Sequence, residues 1–172
     1  MDIINTYFKP SVTWEITDRI RDAIAPAVVE QGYRWPYTRD SSTWQSFVNG
    51  TMKTWFTNRA DPSGSFITNE LGSYTKSGQT AALTLINQHG YMTLNGMTLT
   101  AGHPGVNNPA NWTGTYFVGY TQVIEAVANW GKVFNKFIIQ ENTTGVTYDH
   151  MDSTLPLSMM AGGCTVTAVY TD

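Results

Sequence analysis

His89, His103, His150 and Cys164 carry the side chains that nucleophilic or metal chemistry would need first. A Cys–His nucleophile requires an exposed thiol beside a base. Cys164 instead alternates with Val166 and Ala168, which predicts a core-facing strand position. Each histidine falls in a predicted loop or turn. The three lack zinc-ligand spacing, and one cysteine supplies no thiolate pair. Asp149-His150-Met151-Asp152 is a run of possible cation ligands, but adjacent residues on a turn are more often solvated. No G-x-S-x-G elbow, phosphate loop or dinucleotide fingerprint occurs. The 13 acids are scattered over loops and give no candidate pair for glycoside chemistry. The expectation is a non-enzymatic protein with no cofactor and no metal. Asn49, Asn111 and Asn142 begin Asn-x-Ser/Thr triplets, a number that chance supplies in a chain so rich in Asn and Thr.

Aromatic residues are the other source of site chemistry. Trp112, Tyr116, Tyr120 and Trp130 fall close together near predicted strand ends and loops. Such side chains stack on sugars, sit at lipid interfaces or anchor protein contacts. They are equally the ordinary core and corner residues of a β domain. They stand as the candidate binding set.

Residues 83–100 supply the organising element, read as strand, turn, strand, turn, strand. Asn95-Gly96 tolerates the positive φ of a two-residue type I′ turn. Such a turn faces Leu94 with Met97, Thr93 with Thr98 and Met92 with Leu99. One face is then apolar and the other is threonine, as a half-buried antiparallel pair requires. His89-Gly90 is a weaker turn signal, and with Leu83 and Leu85 before it a three-strand meander is expected. Further strands are expected near residues 115–118, 133–140, 146–148 and 164–170. Residues 123–130 fit a short helix or an irregular strand. Residues 102–110, 142–145 and 152–156 read as loops or turns.

The N-terminal third has a different period. Residues 1–12 read as extended, with Lys9-Pro10 excluding helix just before the proline. From Thr13 the apolar residues recur at helical steps. Trp14, Ile16, Ile20, Ile24 and Val28 form a stripe, expected to dock on the domain's own core or on a neighbouring subunit. Pro26 should kink or restart this helix, and Gly32 should stop it. Of the i,i+4 charge pairs, Glu15 with Arg19 helps and Asp18 with Asp22 does not. An aromatic connector follows at residues 33–37. A second helix is preferred over residues 42–57, with a capping box from Ser42 to Gln45 and an apolar face of Trp44, Phe47, Val48, Met52, Trp55 and Phe56. The rival is a hairpin turning at Asn49-Gly50. Asp61-Pro62-Ser63-Gly64 is a loop, and residues 66–68 read as a short strand.

The fold expectation is α+β, mainly β: an antiparallel β-sandwich or barrel preceded by one or two N-terminal helices. Residues 1–64 are expected to form the helical segment and residues 65–172 the β domain, packed as one compact unit. Only 13% of residues are charged against roughly a quarter in ordinary soluble domains, and the net charge is −3 with no basic stripe. That removes the electrostatic footprint of nucleic-acid binding. One cysteine leaves no internal disulfide. MDIINTYFKP has neither charged leader nor apolar core, so no secretion signal is read, nor any membrane span. The expectation is synthesis in the cytoplasm.

Two functional readings follow. The first is a structural subunit of a virus particle, of bacteriophage capsid or tail type, whose partners are itself or other structural subunits. The second is a glycan- or lipid-binding sandwich with an amphipathic N-terminal helix, of a type that includes pore-formers. For the second, the order of helix then sandwich resembles actinoporin-type and aegerolysin-type proteins. Residues 85–94 carry the Asn…Gly…Leu rhythm of an aegerolysin first hairpin. No matching aromatic membrane-binding motif lies downstream of it.

Overall fold

A computed structural model describes residues 1–35, 40–61, 65–75 and 77–172. Among the described residues, helices occupy the N-terminal part and nine strands the C-terminal part, in the expected α+β arrangement. Parts of the expected connector at 33–37 and loop at 61–64 lie outside the described residues.

The strands form two sheets, one of order β4-β1-β9-β6-β7 and one of order β3-β2-β5-β8. The first comprises β1 (Thr80–Asn87), β4 (Asn111–Phe117), β6 (Val133–Glu141), β7 (Thr147–His150) and β9 (Cys164–Thr171). The second comprises β2 (Gly90–Leu94), β3 (Met97–Leu99), β5 (Thr121–Ala128) and β8 (Thr154–Ser158). All pairings are antiparallel except β1 with β9, which run parallel. Alternate residues of both sheets meet in one core. Leu83, Leu94, Ile124, Phe137, Ile139 and Val166 are fully buried within it.

The expected hairpin is present in its expected register, Met92 with Leu99, Thr93 with Thr98 and Leu94 with Met97. Asn95 and Gly96 have φ of 52° and 82°, as the turn chemistry demands. The three-strand meander is not formed. β1 pairs with β4 and β9, and the chain crosses to the other sheet before β2. Alternation shows that both strands bury a face, but it carries no information on which strand lies beside which.

Several local expectations are corrected. Residues 1–12 are not extended: α1 spans Asp2–Asn5, and α2 starts with Pro10 at its first position, where its missing N–H costs nothing. α2 (Pro10–Arg34) runs through both Pro26 and Gly32 without restarting or stopping. Residues 66–68 belong to α5 (Phe66–Ser73), because the Ser65 hydroxyl accepts the Thr68 N–H and caps a helix there. The helical part therefore extends to Ser73, beyond the expected division at residue 64. Pro156 lies inside β8, not in a loop. β8 is an edge strand, where a residue without N–H is tolerated, and Leu155 and Leu157 still point inward. Residues 123–128 are strand, the second of the two options given above.

Residues 41–60 are helical throughout, as α3 (Ser41–Ser46), a π-helical turn (Phe47–Met52) and α4 (Lys53–Ala60). The hairpin rival is excluded. The cap differs from the expected box: Asp40 accepts the Thr43 N–H at 2.7 Å. That bond, with one from Ser42, holds the Asp40 carboxyl below the usual carboxylate range.

Candidate functional site

The four candidate aromatics are not brought together. Trp112 and Tyr116 point into the core from β4 and are 3% and 2% exposed. Tyr120 occupies the turn before β5, and Trp130 is fully exposed in the turn after it. An eight-residue strand separates these two by about 27 Å. No common stacking platform results.

Tyr116 has another role, one that sequence periodicity does not reveal. Its hydroxyl donates to Asp2 at 2.8 Å. The Asn95 amide of the hairpin turn donates to both Asp2 oxygens and to Gln122, while its carbonyl accepts the Val123 N–H. Asn5, 2% exposed, donates to the Thr115 carbonyl and accepts the Thr115 N–H, each at 2.8 Å. Its side-chain amide thus stands in for a strand residue on the open edge of β4. Burial, and after it the Asp2 charge, raises the Tyr116 hydroxyl far above its ordinary pKa. Gly105, at φ +75°, packs against the Thr6 backbone, and a Cβ there would sit 2.7 Å from Thr6 atoms. Residues 1–6 are thereby fixed to the sandwich, and α2 leaves it from a defined point.

Cys164, His150 and Asp149 are engaged in structure. Cys164 is fully buried, and burial pushes its thiol up to about 11. His150 Nε2 lies 2.9 Å from the Thr154 carbonyl, and Asp149 pairs with Lys136 at 2.7 Å. Among the described residues no three His, Cys, Asp or Glu side chains are grouped to hold a metal. No helix among them is long and apolar enough to cross a membrane.

The candidate interface lies in the helical layer. One side of α2 binds the second helical run. Trp14 Nε1 donates to the Lys53 carbonyl, Lys53 bridges to Asp18, and Arg21 reaches Asn49. Arg21 also sits between Asp18 and Asp22 and relieves their repulsion. Lys53, and after it Arg21, hold the Asp18 carboxyl below its ordinary range. Between the helices runs an apolar groove of about 210 Å³, lined by Ile20, Ile24, Trp44, Val48, Met52 and Phe56. Phe47, Thr51 and Trp55 line an adjoining hollow of about 320 Å³ that shares Met52 and Phe56 with the groove. Arg59 is held between the faces of Trp55 and Phe66, at 5.0 and 4.6 Å from their centroids.

Of the five stripe residues, Trp14, Ile16, Ile20 and Ile24 are 41–53% exposed, and Val28 is half-buried. The sandwich core draws on none of these residues; Ile16, Ile20 and Ile24 line the groove facing the second helical run, and Ile16 also lines a hollow facing residues 102–107. Comparison of the chain with protein-family models, curated proteins and solved structures finds no match.

Proposed function

We propose that this chain is a non-enzymatic structural subunit of a larger assembly, a virion subunit of bacteriophage capsid or tail type, joined to its neighbours through the helical layer. One observation carries the reading. The sandwich closes over its own core, while α2 and the run from α3 to α4 leave large apolar side chains uncovered. Contiguous exposed apolar surface marks a contact with another molecule. Trp and Arg, present at its margin in the stack of Trp55, Arg59 and Phe66, are residue types that dominate interface energies, and Phe is enriched at interfaces. The low charge and the Thr- and Asn-rich strands support the virion class. The mixed charges beside the exposed isoleucines, Glu15, Arg19 and Glu30, disfavour a lipid-binding helix, which carries a cationic polar face.

Sedimentation velocity of the full chain, with and without anionic vesicles, tests this reading. Defined oligomers in buffer alone support it. A monomer that moves only with vesicles overturns it in favour of the membrane-binding sandwich.

A further inference from the structure

We infer that the first partner of the helical layer is a second copy of this chain, bound through α2 in antiparallel orientation; this rests on the assembly reading above. With about 100° per residue, Ile16, Ile20, Ala23 and Ala27 fall within an arc of about 60°. Trp14, Asp18 and Arg21, which hold the second helical run, lie on the opposite side. All four arc residues are exposed. The two alanines let a second helix approach closely at the centre, and the isoleucines supply the apolar contact.

The flanking charges specify the orientation. On the same wheel Arg34 falls inside the arc, Glu30 about 20° and Arg19 about 40° outside its edge, and Glu15 about 80° outside it, all toward one flank. All four are exposed, and Arg34 pairs with Glu30 along its own helix at 2.6 Å. The acid precedes the base in both pairs. A parallel partner in register would set this flank against its neighbour's other flank and leave these charges without opposite partners. An antiparallel partner centred between Ile24 and Ala25 sets Glu15 against Arg34 and Arg19 against Glu30, twice over by symmetry. Flanking charges of this kind set orientation and partner choice between helices. With Pro26, nine side chains are covered in each copy. That removes ~600 Å² per copy and ~1,200 Å² in all, the lower end for a specific interface.

Charge reversal in the full chain, read by sedimentation equilibrium, tests the pairing. The double variant Glu15→Arg/Arg19→Glu turns every flanking contact repulsive. Its dimer dissociation constant should rise by about tenfold or more at low salt. Adding Glu30→Arg/Arg34→Glu restores complementarity and should bring the constant back to near the wild-type value. Circular dichroism confirms that each variant keeps its helix. A wild-type dimer indifferent to the double reversal, or a quadruple variant that stays weak, overturns this pairing and leaves the assembly reading standing. A wild-type chain that is monomeric at every concentration overturns the pairing of copies. If that monomer also moves with vesicles, the assembly reading falls with it.

Discussion

Replacing Asn5 by alanine removes the clamp between the N-terminus and the sandwich. The side chain is buried and makes two 2.8 Å hydrogen bonds to the backbone of Thr115. The substitution strips both partners from that backbone while leaving the edge of β4 in place. A buried donor or acceptor left unpaired costs about 1–3 kcal/mol. β4 is an edge strand, so water recovers part of that cost. The expected loss is about 2–3 kcal/mol. For a chain of 172 residues that lowers Tm by roughly 6–9 °C. Urea denaturation followed by tryptophan fluorescence measures the first quantity, and hydrogen exchange at the Thr115 amide localises it. That amide should exchange faster in the variant, while amides in β9 change only with global stability. A loss under about 0.5 kcal/mol with unchanged Thr115 exchange would refute the clamp.

Three further outcomes are expected. Gly105→Ala places a Cβ against the Thr6 backbone in a left-handed conformation, and should cost about 2 kcal/mol in denaturant titrations. Stability should fall as pH rises through 9–11, because the folded state keeps the Cys164 thiol protonated up to about 11 against 9.0 ordinarily. That stability is fully present below pH 9 and amounts to roughly 2–3 kcal/mol. Cys164→Ala should flatten this part of the profile, and an unchanged slope would contradict it. Tyr116→Phe removes the hydroxyl bond to Asp2 and should cost about 1–2 kcal/mol at neutral pH, while lessening the decline above pH 10.

What could be read from the sequence was whatever chemistry is local. Asn95-Gly96 and the alternation around it specify the hairpin and its register. Cys164, Val166 and Ala168 announce a buried face, and helical spacing announces α2 and the run from Ser41 to Ala60. Sheet membership was not legible, because β1 and β2 are adjacent in sequence yet pair with distant strands. Leu155-Pro156-Leu157 carried the alternation of a strand, but its proline obscured that signal until the strand's edge position was known. The clamp was least legible of all. Asp2, Asn5, Asn95, Tyr116 and Gln122 are polar residues spread over the chain, and only the fold brings them together. For the same reason Tyr116 read as a ligand-binding aromatic and proved to be an anchor. In the stripe on α2 the spacing showed an apolar face, but not that the sandwich leaves it uncovered.

The central claim is that this uncovered face holds subunits together. Its most direct test is sedimentation velocity of Ile16→Asp/Ile20→Asp beside the wild type. The isoleucines are 41% and 53% exposed but also line the groove between the helices, so circular dichroism and thermal melting of the variant must show that its helices stay folded. The account predicts that it sediments as a monomer where the wild type forms oligomers. Oligomers of the same size and affinity in both proteins would contradict it.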